Sequence, residues 1–314
     1  MKKKALFAFS GLMLTFALVA CNGDEESNET VDEAASGGSD TDAETDTEAS
    51  AATSGTVTLA GSSAMQPLIG AAAEIYMEEV NTEADIQVQA GGSGAGLSQV
   101  SQGQVDIGNS DLFAEEEDNI PHEDLVDHRV AVVGMGAVAN PGVGVDDLTQ
   151  DELIDVWTGE VTNWSEVGGE DVDITLVNRP DSSGTRATFV DYALEGAEPA
   201  EGITEDSSNT VRQIVADTEG AIGYLAFSHI DDSVAALSID GVEPSAENVQ
   251  AGEFPIWAYQ HSYTNGEPDG LVKEFLDYLL SEEIQSTLIP EQGYISVTEM
   301  QVERDAEGNE TPVE

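Results

Sequence analysis

From Gly55 onward, short apolar or alternating stretches take turns with longer stretches spaced for one face of a helix. Thr56-Val57-Thr58-Leu59-Ala60 predicts a strand, residues 65–80 a helix, and the strict alternation of Asp85-Ile86-Gln87-Val88-Gln89 a second strand. A helix near 97–103, a third strand at 105–108 and a longer one at 127–133 follow. Val138-Ala139-Asn140-Pro141-Gly142 is a break suited to a crossing between domains. Thr149 and Glu152 have capping-box spacing ahead of a helix through Trp157. Further strands are expected at 173–178, 221–227 and 254–259, and helices at 183–192, 210–216 and 271–280. From 305 the chain reads as frayed and acidic. There is no repeat at solenoid periods. The alternation predicts an α/β fold of mostly parallel sheets flanked by helices.

Before Gly55 the pattern is different. Lys2, Lys3 and Lys4 precede an apolar stretch from Ala5 to Ala20, too short for a comfortable membrane span. The stretch ends in Leu18-Val19-Ala20-Cys21, which resembles a bacterial lipobox, and residues 1–20 read as a lipoprotein signal peptide. Cleavage there would place Cys21, the chain's only cysteine, at the new N-terminus for lipidation. A lone cysteine also excludes an internal disulfide. Residues 22–54 are Asp, Glu, Ser, Thr, Gly and Ala with almost nothing large and apolar, the composition of a disordered tether. About 260 residues remain, enough for one large or two medium domains.

Charge narrows the function. Nine Lys and Arg stand against 63 Asp and Glu, a net charge of −54, and three of the nine cations lie in the leader. Such a chain is unsuited to nucleic acid, whose phosphates are held by Lys and Arg, and to a basic membrane-surface role. Excess carboxylate of this kind fits solubility at high salt or high pH. An anion receptor with this charge has to attract its ligand through local donors.

Three places share one design: a strand ends, small hydroxyl residues follow, and a helix begins. They are Gly61-Ser62-Ser63-Ala64, Gly92-Ser93-Gly94-Ala95-Gly96 and Ser182-Ser183-Gly184-Thr185. Ligands of α/β sheets sit beyond the carboxyl ends of the strands. A helix start there offers free N–H groups, glycine allows close backbone approach, and Ser and Thr add donors. Taken singly, a hydroxyl at such a position is more often a plain helix cap; three together point to a shared anion site. Arg179 ends a strand four residues before Ser183, placed to grip an oxyanion through two hydrogen bonds. Arg186 and Arg212 read as structural or as supports behind the site, and Arg129, within a strand, reads the same way.

Asp111 also ends a strand. An ionised carboxylate only accepts hydrogen bonds, so beside an anion it is useful when the ligand carries a proton. Hydrogen phosphate does; sulfate does not. Facing a bare sulfate oxygen would cost about 1–3 kcal/mol, and such a site discriminates strongly. Catalytic patterns are absent. His122, His128, His229 and His261 have no ligand spacing, the glycine cluster lacks the Lys of a P-loop, and Ser93 lacks the last glycine of a nucleophile elbow.

In order along the chain stand the lipobox, Gly61-Ser62-Ser63, the Gly92–Gly96 cluster, Ile107-Gly108-Asn109-Ser110-Asp111, Trp157-Thr158-Gly159 and Thr162-Asn163-Trp164. Arg179-Pro180-Asp181-Ser182-Ser183-Gly184-Thr185 and Ala221-Ile222-Gly223-Tyr224 follow. Together they resemble the phosphate-binding lipoproteins of ABC importers, the PstS family. The resemblance implies a two-lobed periplasmic-binding-protein (Venus-flytrap) fold whose lobes are joined by a hinge. Lobe 1 would be discontinuous, 55–138 plus 254–314, and lobe 2 would be 139–253, after a signal peptide at 1–20 and a lipidated tether at 21–54. It puts Ser63, the Ala64 backbone and Ser93 on the ligand, with Asp111 as proton acceptor and Arg179, Ser183, Gly184 and Thr185 as donors from the other lobe. Ala64 departs from the aromatic residue some relatives carry there. The implied partners are inorganic phosphate, an ABC permease with its ATPase subunits, and the membrane through the lipid anchor. A monomer is expected, on the outer face of the cell membrane, with no metal, no cofactor and no enzymatic activity. Two alternatives stay open: a receptor for sulfate or molybdate on the same fold, and a phosphate sensor or adhesin that feeds no transporter.

Overall fold

The computed structural model describes residues 53–313, Asp118 apart. The expected leader, Cys21 and the tether up to residue 52 lie outside the described residues. Those described belong to one unit, Ser50–Glu314.

Strand β1 (Gly55–Gly61) turns Val57 and Leu59 into the core. It leads through Ser62 and Ser63 to α1 (Gln66–Ile75), which has Pro67 in its first turn, where no N–H is needed. Helix α1 buries Leu68, Ile69, Ala72 and Ala73 and ends in a wider turn, Tyr76–Val80. Strand β2 (Ala84–Ala90) lies parallel to β1 along its whole length. Helix α2 (Ser93–Ser101) begins inside the glycine cluster, four residues before the expected start at Leu97. Gly96 permits this: a Cβ there would lie 2.7 Å from the carbonyls of Ala60 and Asn109. Strand β3 (Ile107–Ser110) is parallel to β1 on its other side.

Strand β4 (Leu125–Ala139) runs for 15 residues, twice the expected stretch, because all of its second part is buried and no longer alternates. Next come β5 (Asp147–Leu148), α3 (Gln150–Thr158), β6 (Thr175–Asn178), α4 (Gly184–Ala193) and β7 (Ile203–Thr204). They are followed by α5 (Ser208–Asp217), β8 (Ala221–Ala226), β9 (Ala235–Ala236), β10 (Ser238–Ile239) and α6 (Ala246–Gln250). Strand β11 (Trp257–Asn265) then leads to α7 (Gly270–Leu279), α8 (Glu282–Ser286), α9 (Leu288–Glu291), β12 (Val302–Arg304) and β13 (Glu310–Pro312). The capping box predicted at Thr149 and Glu152 is present at the start of α3.

The main sheet has the order β2-β1-β3-β11-β4-β8-β6-β7, with β9 also on β4. Its flanks are parallel, β2-β1-β3 on one side and β8-β6-β7 on the other. The middle is antiparallel, through β11 and β4, so the sheet is mixed where a mostly parallel one was expected. Strand β4 changes partners partway. Leu125 to Gly134 pair with β11, and Met135 to Ala139 pair with β8. Beside that change, the Met135 N–H donates to the Ile256 carbonyl at 2.8 Å, so two chain segments cross between the flanks side by side.

Trp157, Trp164 and Trp257 are all fully buried, and Trp164 donates its indole N–H to the Gly220 carbonyl at 2.9 Å. The described residues from 305 on are not frayed. Strands β12 and β13 form a hairpin whose Arg304 is buried against Tyr192 and Trp257. Among the described residues no helix is long and apolar enough to cross a membrane.

Candidate functional site

All three strand-hydroxyl-helix turns come to one place. The β1–α1 turn brings Ser62, Ser63 and Ala64. The start of α2 brings Ser93. The end of β3 brings Asp111, and the β6–α4 turn brings Arg179, Ser183, Gly184 and Thr185. Each of these side chains is at least 95 % buried. The parallel flanks place the carboxyl ends of β1, β3 and β6 at this point, the end of an α/β sheet where ligands generally sit.

Asp111 is the centre of the hydrogen bonding. Ser62 Oγ donates to Oδ1 at 2.5 Å and Thr185 Oγ1 donates to Oδ2 at 3.1 Å. The Asp111 backbone N–H donates to Ser93 Oγ at 3.0 Å. Thr185 comes from α4 and Ser62 from the opposite flank, so one carboxylate ties both flanks together. Burial pushes its pKa above the ordinary carboxylate value. The hydrogen bonds from Ser62 and Thr185, the charge of Arg179 and a hydrogen bond from Gln260 pull the other way. Gln260 is fully buried on β11 at a register shift in the β11–β4 ladder, and its Oε1 has no protein partner.

Arg179 is held from several sides. Its backbone N–H donates to Tyr224 Oη at 2.9 Å, and the Tyr224 ring lies in a buried cluster with Phe189 and Trp157. Its Nη2 donates to Ser63 Oγ at 3.1 Å and to the Asp206 carbonyl at 2.8 Å, and its Nη1 to Ser208 Oγ at 3.2 Å. The Nε–H is buried without a protein partner. Burial lowers the pKa from the usual arginine value, but a guanidinium keeps its proton in proteins.

The other cations are arranged differently. Arg129, Arg186, Arg212, Lys273 and Arg304 each pair with a carboxylate at between 2.5 and 3.4 Å. Among the described residues Arg179 is the one Lys or Arg with no such pair, in a chain where carboxylates outnumber cations sevenfold. A buried charge of this kind is costly unless something neutralises it.

The remaining predicted residues take varied positions. Ser183 caps α4, its Oγ accepting from the Arg186 N–H. The Ala64 N–H donates to Ser62 Oγ at 3.1 Å, so that backbone group serves the Asp111 network. The carbonyls of this turn are also tied down, Ser63 by His229 Nε2 at 2.9 Å and Ala64 by Tyr294 Oη at 2.5 Å. Burial holds the His229 pKa below the ordinary histidine value, and toward a carbonyl its Nε2 is the donor. Gly184 lies against Ser93: a Cβ on it would stand 2.3 Å from Ser93 Oγ. The Gly94 N–H donates to the Ser182 carbonyl at 3.2 Å, so the two flanks meet directly over the site.

Sequence reasoning misses Ser62, Asp206, Ser208 and Gln260 as members of the site. Ser62 is visible in its motif, next to the residue chosen. Ser207-Ser208 repeats the strand-hydroxyl-helix design after β7 but is concealed when α5 is taken to start at Thr210. Gln260 has no local signal at all. Among the described residues no group of His, Cys, Asp and Glu is placed to hold a metal ion.

The chain has clear relatives. The family model described as a PBP superfamily domain matches residues 46–283. The phosphate-binding protein PstS of Bacillus subtilis (strain 168) is 68% identical over 259 residues, covering 82% of this chain and 86% of that one. A Clostridium perfringens protein solved with bound phosphate, and described as a phosphate ABC transporter substrate-binding protein, superposes with a TM-score of 0.72. It is 30% identical and covers 77% of this chain and 100% of that one. An ABC-type phosphate transport receptor from Vibrio cholerae superposes with a TM-score of 0.62 at 28% identity, covering 76% of this chain and 99% of that one. The chain therefore belongs to the PBP superfamily and, within it, to the PstS family of phosphate-binding proteins.

Proposed function

We propose that the protein binds inorganic phosphate outside the cytoplasm and delivers it to an ABC import permease with its ATPase subunits. One observation carries the reading: Arg179, buried and without a carboxylate partner, sits among hydroxyls and helix starts beside the acceptor Asp111. The guanidinium supplies the charge that a tetrahedral oxyanion requires, and its free Nε–H is a donor in reserve. The further donors in this reading are Ser63, Ser93, Ser183 and the Gly184 N–H, joined by the Thr185 hydroxyl and the Ala64 N–H when the anion draws them from Asp111 and Ser62 Oγ. Asp111 accepts the proton that hydrogen phosphate still carries. Its raised pKa reflects how poorly the buried carboxylate is solvated, and a donating phosphate oxygen relieves that. The relatives described as phosphate-binding proteins and transport receptors support reading the protein as a receptor and not as an enzyme.

The lobes of this reading are 55–138 plus 254–314 and 139–253. The hinge is the pair of crossings where β4 changes partners at Met135 beside Ile256. Closure brings Gly184 against Ser93 and buries the anion. Cys21 carries the lipid that holds a monomer at the outer face of the cell membrane. Support for that anchor is the lipobox alone.

Calorimetric titration with inorganic phosphate at pH 8 in about 1 M salt tests the reading. The unchanged protein is expected to bind one phosphate per chain. Arg179→Ala is expected to weaken binding at least about 100-fold, in line with the loss of a buried charged hydrogen-bond donor. Absence of phosphate binding by the unchanged protein would overturn the proposal.

A further inference from the structure

Helix α5 starts at Ser208, whose side chain is fully buried. A serine at a helix start ordinarily caps its own helix, yet neither Ser207 nor Ser208 does so here, and α5 has no side-chain cap. The Ser208 hydroxyl is committed across the site. Its Oγ lies 3.0 Å from Ser63 Oγ on the β1–α1 turn and 3.2 Å from Arg179 Nη1 at the end of β6. The same guanidinium also donates to Ser63 through Nη2, closing a three-membered ring of side chains.

The proton inventory of this ring is informative. A hydroxyl has one proton and two lone pairs. Arg179 donates to both serines, so each already accepts once. The single bond between the serines uses one of their two protons and leaves the other. If Ser208 donates to Ser63, the proton left over is that of Ser63, on the turn that faces Asp111 and the start of α2. Two guanidinium N–H groups also stay unused, since three of its five are engaged.

We propose that Ser208 is a positioning residue for anion binding: its hydroxyl accepts from Arg179 and donates to Ser63. It thereby fixes the plane of the guanidinium and turns the Ser63 proton toward the bound oxyanion. The proposal rests on the phosphate reading and adds a residue to it. Because Ser208 joins the two flanks, its loss acts mainly on how long the closed site holds the ligand.

The test compares the unchanged protein with Ser208→Ala, Ser208→Thr, Ser63→Ala and the Ser63→Ala/Ser208→Ala pair. Affinity for inorganic phosphate is read by calorimetry, and release by chasing radiolabelled phosphate with unlabelled phosphate. Ser208→Ala is expected to weaken binding about tenfold, the loss of about one buried hydrogen bond to a charged group. Most of that loss appears in faster release, while the phosphate-free thermal midpoint falls by only a few degrees, as the loss of about one buried hydrogen bond predicts. Ser208→Thr keeps the hydroxyl and stays within about threefold of the unchanged protein, and the paired variant loses less than the two single losses combined, as coupled residues do. Normal binding by Ser208→Ala, equal weakening by Ala and Thr, or full additivity would each overturn the inference and leave the phosphate reading standing. No phosphate binding by the unchanged protein removes both.

Discussion

At Gly184 one hydrogen stands where any other residue would place a carbon 2.3 Å from Ser93 Oγ and 2.9 Å from Asp111 Cβ. No real Cβ tolerates such contacts, and both neighbours are fixed by their own hydrogen bonds. Gly184→Ala is therefore expected to keep the two flanks from meeting and to weaken phosphate binding at least about 100-fold. The penalty is the overpacking of a rigid buried contact. Calorimetry against phosphate reads this; unaltered affinity would mean that closure on Ser93 is not part of binding. Gly184, Thr185 and Arg179 were legible in the sequence because their signal is local: a strand end, an arginine and a hydroxyl-glycine turn within seven residues. Ser208 was not legible as a member of the site, because its partner Ser63 lies 145 residues away. Only the fold brings the two together.

At the scale of elements, strand and helix identity followed from periodicity wherever one face was buried and the other wet, as in β2 and α7. It failed where burial was complete. The second part of β4 is apolar throughout, so neither its length nor its change of partner leaves a periodic trace. The C-terminal hairpin was misread for another reason. Its acidic, polar residues look frayed, and its order depends on Arg304. That guanidinium lies 3.7 Å from the centre of the Tyr192 ring and 4.1 Å from that of Trp257. It also donates to the carbonyls of Trp257 and Pro255 and to Glu310. Arg304→Ala strips these contacts from a residue that is 5% exposed and is expected to cost about 3 kcal/mol. For a chain of this size that is a fall of roughly 6–12 °C in thermal midpoint. Arg304→Lys should recover little, since a planar fork stacked between rings has no ammonium equivalent. Thermal unfolding within about 2 °C of the unchanged protein would show that the hairpin is held some other way.

For the whole molecule the governing fact is a net charge of −54 on a receptor for an anion. The long-range field repels phosphate, while the attraction comes from buried donors that salt reaches poorly. Raising salt from about 0.1 M to 1 M shortens the screening length from about 10 Å to 3 Å. The repulsion should fade and the local attraction should remain. Thermal stability is therefore expected to rise with salt, through weaker self-repulsion, and phosphate affinity is expected to hold or tighten. Equilibrium binding across that range reads it. A steep loss of affinity with salt would show that an exposed electrostatic patch, and not the Arg179 site, holds the anion.

The claim on which the rest depends is that Asp111 selects a protonated anion. Calorimetric competition between phosphate and sulfate at pH 8, on the unchanged protein and on Asp111→Asn, tests it most directly. The account predicts that the unchanged protein binds phosphate and rejects sulfate, and that Asp111→Asn, which adds a donor and removes the charge, weakens phosphate and admits sulfate. Comparable binding of sulfate by the unchanged protein, or a phosphate preference that survives Asp111→Asn, would contradict it.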